Sequence, residues 1–316
     1  MNEPDVMVYL MTGFLDSGKT GFLKFTLKQD YFQIDGKTLL ILCEDGEDEY
    51  DAMEMLRYGV VIERLEDREE LTEEYLAELD RKHEPDRVVI EYNGMWKVSD
   101  FENMKLPKGW GIEQKITTVD ASTFQTYLTN LKPLFVEMVR GAEMVLFNRC
   151  EDIKPLAGYR RSVKVVSPQA EVIFEDEQGE VENIFEDDVP YDLDAPVIEI
   201  PREDYGIWYV DMMENPARYR GKVIEITAKV LKPSGFPSKV FLPGRMAMTC
   251  CADDVQYMGF LCKADDWAPY KNQEYVTVVA RLEFKYMKEY GEEGLVFYAE
   301  SVEKAQKPKE ELVYFN

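Results

Sequence analysis

The chain has 316 residues, enough for about two domains of ordinary size, and its 62 acidic against 37 basic residues give a formal charge of −25. This excess of acid argues against a general nucleic-acid binder and against docking on anionic lipid, because both functions need clustered Lys and Arg. The 45% hydrophobic and 12% aromatic content is too high for a disordered acidic chain and predicts folded cores.

The N-terminus and the cysteine content predict a cytoplasmic protein. The chain begins MNEPD, without the basic segment and apolar stretch of a signal peptide, and no apolar run approaches the roughly 20 residues of a spanning helix. Five cysteines, two of them adjacent, are unlike a secreted disulfide framework and favour reduced thiols or a metal site. A single histidine, His83, excludes histidine-rich zinc sites.

Residues 6–148 alternate short apolar runs with helical stretches. The predicted strands are 6–11, 38–43, 88–92, 115–119 and 144–147. Helices are predicted after the first strand at 21–28, at 71–81, and over 123–139, where apolar residues recur every three or four positions and Pro133 bends or starts a segment. This alternation predicts βαβ units, and hence an α/β domain with a mostly parallel sheet.

Residues 13–20 read GFLDSGKT and match G-x-x-x-x-G-K-[ST] between a strand and a helix, which is the phosphate-binding P-loop in its required context. Gly13 and Gly18 let the backbone wrap a phosphate, and the N–H groups around Ser17 and the helix N-terminus face it. Lys19 reaches the outer phosphates and Thr20 binds Mg²⁺. Asp16 is expected to point outward or towards a metal-bound water.

Acidic residues end the next two predicted strands. Glu91 closes the 88–92 run, and Gly94 three residues later can offer a backbone N–H to the terminal phosphate. Glu44, Asp45 and Glu47 follow the 38–43 run. Carboxylates facing a triphosphate require a cation between them, so these acids are candidate Mg²⁺-linked switch residues, with a solvated turn as the alternative for 44–47.

The strand at 144–147 leads into a candidate base-binding segment. Asn148, Arg149 and Glu151 resemble the guanine-reading N-K-x-D, with an arginine in place of lysine and a glutamate one methylene longer than aspartate. The acid one position later, Asp152, is the alternative partner for guanine. The planar guanidinium of Arg149 can stack on the base, and the segment favours GTP over ATP.

In this order and spacing, the loop at 13–20, the acidic turn at 44–47, the Glu91 and Gly94 pair and the Asn148 strand resemble the CobW/HypB/UreG class of P-loop GTPases, closest to the CobW branch. The resemblance covers about the first 170 residues. It implies GTP binding and slow hydrolysis coupled to delivery of zinc, cobalt or nickel to a client. The Cys-x-Cys-Cys metal motif of that branch is absent from the matching stretch, 57–63, which has no cysteine.

The segment from 165 to 201 contains twelve acidic residues and neither Lys nor Arg. Residues 171–174 and 180–184 can pair as a hairpin, and the two prolines in 187–196 mark a boundary. We expect a nucleotide-binding domain at 1–186, an acidic linker at 187–200 and a second domain at 201–316. A solvated linker is favoured over an acidic docking segment.

Beyond residue 200 the pattern changes to short strands without long helical patterns. The predicted strands are 222–231, 246–250, 258–262, 275–284 and 295–301. Five or six short strands in this length predict a small all-β barrel, OB-like in fold. Such barrels often bind single-stranded nucleic acid through basic grooves and aromatics, but the acidic balance argues against that function here.

Three cysteines of this region form a candidate zinc site, with buried or turn-forming thiols as the alternative. Cys250 or Cys251, together with Cys262, would supply thiolates, although adjacent residues on a strand point to opposite faces. Residues 200–305 resemble the C-terminal domain of the YcgQ family, small membrane-associated proteins paired with predicted permeases, whose Cys-Cys-Ala-Ala-Asp segment is matched here except for Asp253. This resemblance implies a permease partner rather than membrane insertion of this chain.

The sequence therefore predicts a cytoplasmic GTPase that hydrolyses GTP to GDP with Mg²⁺, in metal homeostasis or transporter regulation, with Lys19 and Glu91 as catalytic residues. A permease or a metalloprotein client is the expected protein partner, and Zn²⁺ is a candidate second metal. The alternative is a nucleotide-gated binding module that hydrolyses little.

Overall fold

A computed structural model describes residues 4–44, 46, 49–181, 184, 189–249, 254–265, 270–287 and 292–315. The chain divides into two compact units, Met1–Ile184 and Phe185–Asn316. Each is described by itself below, as the first unit and the second unit. In the described part of the chain, no helix combines the length and apolar character needed to cross a bilayer.

The first unit is built on one sheet, seven of whose strands run parallel. Its strand order is β3-β2-β4-β1-β5-β6-β7-β8, and the β7–β8 pairing is antiparallel. Every residue of β2 and β4 is buried, as expected for central strands covered on both faces. The strands are β1 (Val6–Thr12), β2 (Thr38–Leu42), β3 (Val60–Arg64), β4 (Arg87–Glu91), β5 (Trp110–Asp120), β6 (Met144–Asn148), β7 (Glu171–Asp176) and β8 (Gly179–Glu180). The predicted α/β fold with a mostly parallel sheet is confirmed.

Helices connect these strands and leave the carboxyl ends of β1, β2, β4, β5 and β6 at one edge of the sheet. Ligands of open α/β sheets bind outside that edge. The predicted segment 123–139 forms two helices, and Pro133 lies in the first turn of the second, where its missing N–H is tolerated. The helices are α1 (Lys19–Thr26), α2 (Ala52–Arg57), α3 (Glu73–His83), α4 (Val98–Glu102), α5 (Phe124–Asn130), α6 (Lys132–Val139) and α7 (Ala157–Lys164).

The sequence analysis misses four elements of this unit. Most of residues 57–63, the stretch matched to a cysteine motif, belongs to β3, which pairs with β2. Helices α2, α4 and α7 are also missed, because each is short and contributes only one to three buried residues. The hairpin expected from 171–174 and 180–184 forms, with a much shorter second strand, β8.

The second unit is a closed five-stranded barrel. Strands β10, β11, β13, β15 and β14 pair in that order and β14 returns to β10; β13 and β15 run parallel and the other pairs antiparallel. Alternate residues of β10 are buried, as the pleat requires. The elements are β9 (Ile198–Glu199), α8 (Tyr205–Glu214), β10 (Val223–Leu231), β11 (Val240–Met248), β12 (Val255–Gly259), β13 (Leu261–Lys263), β14 (Tyr275–Met287), β15 (Glu292–Lys304) and β16 (Leu312–Val313). The predicted small β-barrel is confirmed, and its five strands are consistent with an OB-like domain.

Two features of the second unit differ from the prediction. A ten-residue helix, α8, precedes the barrel and buries Trp208 completely; it was missed because its residues are apolar around much of the helix and show no clear period. The end of the expected linker 187–200 is structured, since Ile198 pairs with Ile224 in the sheet and is fully buried. The apolar alternation at 198 and 200 marks this as a strand.

Candidate functional site

The loop between β1 and α1 depends on two glycines at positions that admit no larger residue. Gly13 and Gly18 have φ of 142° and 94°, in the left-handed region that side chains disfavour. A Cβ on Gly13 would lie 2.4 Å from Ser17 Oγ and 2.5 Å from the Thr118 carbonyl oxygen, and one on Gly18 would lie 2.5 Å from Asn148 Nδ2. Ser17 Oγ is also 2.9 Å from Thr118 Oγ1. The loop is therefore packed closely against the ends of β5 and β6.

Lys19 opens α1, and its amine lies over this loop. Nζ donates to the carbonyl oxygens of Gly13 (2.8 Å) and Phe14 (2.9 Å) and forms an ion pair with Glu44. Lys19 is 3% exposed. A buried cation is thus held at the centre of a loop followed by a helix N-terminus, an arrangement that binds phosphate.

Glu44 brings the segments after β2 and β4 to the same point. While one oxygen of its carboxylate pairs with Lys19, the other accepts the backbone N–H of Gly94 at 3.2 Å. Gly94 is itself pressed against the loop, since a Cβ there would lie 2.4 Å from the Gly13 carbonyl oxygen and 2.7 Å from Phe14 Cα. Two donors that the sequence assigns to the terminal phosphate, the Lys19 amine and the Gly94 N–H, therefore converge on one carboxylate.

Glu91 ends β4 as a buried carboxylate with two hydroxyl donors. Thr20 Oγ1 donates to Oε1 at 2.6 Å and Tyr50 Oη donates to Oε2 at 2.5 Å. Burial raises the pKa of Glu91 and outweighs these two hydrogen bonds, which act to lower it. The sequence predicts a role beside Mg²⁺ for both Thr20 and Glu91, and their side chains are in contact.

A cavity of about 150 Å³ lies in front of these groups. A second cavity of about 430 Å³ shares Thr20, Glu44, Gly46 and Glu91 with it and adds Tyr50 and Arg64. The first is lined by Leu15, Asp16, Gly18, Lys19, Thr20, Gly21, Glu44, Gly46, Glu91 and Arg149. Asp16 is exposed, with a φ of 59°, in keeping with the expectation that it points outward.

The donor set around these cavities suits Mg²⁺. A hydroxyl from Thr20 and carboxylates from Glu44 and Glu91 are hard oxygen ligands of the kind this cation takes. Asp45 and Glu47, the other two acids predicted for this role, lie outside the described residues. Thr20 and Glu91 would hold the ion, and the ion would supply positive charge beside the phosphates.

Asn148 ties the end of β6 to the phosphate loop. Its Nδ2 donates to the Ser17 carbonyl oxygen at 2.8 Å. Its Oδ1 is buried and has no hydrogen-bond partner among the described residues. A buried polar atom without a partner is unusual and fits a residue that completes its hydrogen bonds with a ligand.

Arg149 is fixed beside the same cavity by a residue that the sequence analysis missed. Nη1 donates to the Asp16 carbonyl oxygen at 2.9 Å and pairs with the carboxylate of Asp120 at the end of β5. Although partial burial would raise the pKa of Asp120, hydrogen bonds from Ser122 and Arg149 hold it below its usual value. Asp120 is the last residue of β5 and lies opposite Asn148 in register. An acidic residue at the carboxyl end of a predicted strand is the feature by which the sequence could have identified it.

Glu151 does not join this group. Its carboxylate accepts the backbone N–H of Glu177 at 2.9 Å and so supports the turn between β7 and β8. Asp152, the alternative, is exposed with a φ of 59°. The structure thus places Asn148 and Arg149 at the candidate base-binding end and gives Glu151 a structural partner.

The candidate zinc ligands are not brought together in the described residues. Cys262 is fully buried on β13, and burial raises the pKa of its thiol, so it is a poor source of thiolate. Cys250 and Cys251 lie outside the described residues. In the part of the chain that the structure describes, no group of three or more His, Cys, Asp or Glu side chains is arranged to hold a metal.

Comparison with known families identifies the first unit. Residues 7–174, more than half of the chain, match the nucleotide-binding domain of CobW/HypB/UreG. The chain belongs to the CobW/HypB/UreG family. Residues 177–315 match the DUF1980 C-terminal domain. The recognition of two family domains, a P-loop nucleotide-binding domain followed by a second domain, is thereby confirmed.

Solved structures of this family resemble the chain more distantly. Zn(II)-bound YjiA GTPase from E. coli is 19% identical, with a TM-score of 0.42 over 88% of this chain and 93% of that one. Hydrogenase maturation factor HypB from Archaeoglobus fulgidus is 19% identical, with a TM-score of 0.39 over 55% and 83%. These values are too low to add to the assignment, which rests on the family match. No curated protein is significantly similar to the chain.

Proposed function

We propose that this member of the CobW/HypB/UreG family is a Mg²⁺-dependent GTPase that converts GTP and water to GDP and phosphate. The observation that carries the proposal is the convergence of the Lys19 amine and the Gly94 N–H on one anionic group beside the Thr20 and Glu91 pair. In the GTP-bound protein, the terminal phosphate takes the place of the Glu44 carboxylate at these two donors.

Each residue then has a defined task. The backbone of the loop from Gly13 to Gly18 wraps the phosphates and Lys19 neutralises their charge. Thr20 and Glu91 would hold Mg²⁺, which would supply further positive charge beside the phosphates, and Glu91 orients the attacking water. Asn148 and Arg149 contact the base.

Hydrolysis by the isolated chain is expected to be slow. An arginine finger, where one is supplied, raises the rate of phosphoryl transfer by about 10³–10⁵. Arg149, which lines the first cavity, is engaged by Asp120 and lies at the base end, so it does not serve the terminal phosphate. A client or partner protein is the proposed source of such a group.

The family and the second unit support a proposal for the cellular role. We propose a cytoplasmic role in zinc or cobalt homeostasis or in transporter regulation, with a permease or a metalloprotein as client. The units serve as a GTPase domain ending near residue 184 and a barrel domain that presents the binding surface for the client.

A nucleotide-gated binding module is the second candidate, and the Glu44 contacts favour it. Because Glu44 occupies both phosphate donors, nucleotide must displace it, and the segment after β2 would change position whether or not hydrolysis follows. Multiple-turnover phosphate release from GTP separates the candidates. Turnover supports the GTPase, whereas tight Mg²⁺-GTP binding without turnover supports the gated module.

A further inference from the structure

Among the described residues, the side chains of Thr20 and Tyr50 donate hydrogen bonds to the Glu91 carboxylate. Thr20 belongs to α1, whereas Tyr50 lies outside the phosphate loop and that helix. Its hydroxyl lies 2.5 Å from Oε2, while Thr20 occupies Oε1 at 2.6 Å. Glu91 is 3% exposed and Tyr50 8% exposed. Two donors on two different oxygens fix the plane of a carboxylate that water reaches poorly.

The ring of Tyr50 is held in place independently of Glu91. It packs in a hydrophobic cluster with Leu23 of α1, Leu42 of β2 and Met55 of α2. The next residue, Asp51, caps α2 by accepting the backbone N–H groups of Met53 (2.9 Å) and Glu54 (3.1 Å). Because both the ring and the following backbone are anchored, the hydroxyl is a rigid donor.

Tyr50 also lies in the same connection as Glu44, between β2 and α2. Glu44 contacts Lys19 and Gly94, and Tyr50 contacts Glu91. The connection thus reaches both the phosphate-facing and the metal-facing groups of the site. A change in the position of this connection would therefore alter the contacts of both Glu44 and Glu91.

We propose that Tyr50 is a positioning residue, which orients the Glu91 carboxylate for Mg²⁺-nucleotide. The inference rests on the proposed function and adds a residue that no family match assigns. Tyr50 does not touch the reacting atoms; it acts by holding Oε2, which leaves Oε1 directed at the Thr20 hydroxyl.

The test is the Tyr50→Phe variant, which keeps the ring in the cluster and removes the hydroxyl. Binding of a fluorescent GDP analogue is measured in EDTA and across a Mg²⁺ titration, and GTP turnover is measured over a range of GTP concentrations up to saturation, which gives kcat and KM. Because a hydrogen bond to a buried carboxylate is lost, the Mg²⁺ concentration at half-saturation should rise and kcat should fall, each by about tenfold or more. Affinity in EDTA and the KM for GTP should stay within about twofold of wild type.

Tyr9→Phe is the matched control. Tyr9 packs against the same cluster, and its hydroxyl contacts Met7 Sδ at 3.9 Å rather than the site. It should behave as wild type in every measurement. If Tyr50→Phe matches Tyr9→Phe in Mg²⁺ half-saturation and kcat, the inference is wrong. It is also wrong if Tyr50→Phe loses affinity equally in EDTA and in Mg²⁺, because the residue would then have a general structural role.

A double-mutant cycle shows whether Tyr50 acts through Glu91. In a Glu91→Ala background, Tyr50→Phe should have no further effect on the Mg²⁺ dependence of nucleotide binding. A further loss of the same size as in wild type contradicts the inference. Failure of the proposed function is a separate outcome, because it appears as absent Mg²⁺-dependent nucleotide binding in the wild-type chain.

Discussion

At the scale of single residues, the site is governed by competition for positive charge. Glu44 satisfies the buried amine of Lys19 and the N–H of Gly94, and leaving the Lys19 cation buried without an anionic partner would be costly. A triphosphate offers the same two donors a stronger partner, but it brings more negative charge next to Glu44 and Glu91. Nucleotide and Mg²⁺ should therefore bind together.

Neutralising Glu44 tests this competition. Glu44→Gln keeps the size of the side chain and removes its charge, so the affinity for a non-hydrolysable GTP analogue, measured by calorimetry in EDTA, should rise on the order of tenfold. Glu49→Gln is the control, since Glu49 is an exposed acid that lines the second cavity, and should change affinity little. Unchanged or weaker binding of the GTP analogue by Glu44→Gln would show that Glu44 does not oppose the phosphates.

Adding a methyl group at Gly94 should damage the site. In Gly94→Ala, the new Cβ meets backbone atoms of Gly13 and Phe14 at 2.4 and 2.7 Å, so the phosphate loop must shift. We expect nucleotide affinity to fall by at least about tenfold, because small displacements of binding groups are costly. Gly158→Ala in α7, where the nearest atom to the new Cβ is a side-chain nitrogen at 3.6 Å, should bind as wild type. Equal affinities for the two variants would contradict the packing described.

At the scale of secondary-structure elements, the sequence predicted the strands that consist of apolar runs and the phosphate loop, which carries a recognisable motif. The strands β1, β2, β4, β5 and β6 were found in this way, and so were Glu44, Glu91 and Asn148 at or just after the ends of β2, β4 and β6. Tyr50 and Asp120 were missed because their roles depend on contacts with residues 41 and 29 positions away, which no local pattern reports. Helix α8 was missed because apolar residues occur around much of the helix and show no amphipathic period.

Helix α8 should be essential to the second unit. Trp208 is fully buried and its ring contacts Tyr205, Phe260 and Phe297, so Trp208→Ala should lower the free energy of unfolding by about 3–5 kcal/mol. Met213→Ala on the same helix removes a side chain that is 53% exposed and should cost far less. Chemical denaturation of both variants measures the difference; similar losses would contradict the burial of this helix face.

Three cysteines, one on β13 and two just after the ends of β2 and β6, are expected to be unreactive. Cys43, Cys150 and Cys262 are buried and free, and burial raises the pKa of each, that of Cys150 to about 11. A raised pKa leaves little thiolate at pH 8. In a Cys250→Ser, Cys251→Ser chain, a thiol reagent at pH 8 should label none of them before denaturation and all three afterwards. Rapid labelling of the folded chain would show that one is accessible, and would reopen the zinc assignment of Cys262.

At the scale of the whole molecule, the charge of −25 has two separate meanings. Twelve of the acidic residues lie between 165 and 201, around the division of the chain at residue 184. Others, among them Glu44 and Glu91, surround the cavities of the first unit. The first group lies near the boundary between the two units, and the second is the basis for the proposed requirement for a divalent cation.

The division predicts that the units fold separately. A fragment of residues 1–184 should bind Mg²⁺-GDP with the affinity of the full chain, and a fragment of residues 189–316 should unfold cooperatively and bind no nucleotide. Calorimetry and thermal denaturation of the two fragments make the measurement. Loss of nucleotide binding by a folded first fragment would show that the nucleotide site depends on the second unit.

Phosphate release from GTP by the wild-type chain and by Lys19→Ala, each in Mg²⁺ and in EDTA, tests the proposed function most directly. Thermal denaturation first establishes that the variant is folded. The wild type should turn over repeatedly in Mg²⁺ and not in EDTA, and Lys19→Ala should be slower by about a hundredfold or more, because one positioned stabilising group is worth that much. Hydrolysis by folded Lys19→Ala at the wild-type rate would contradict the account.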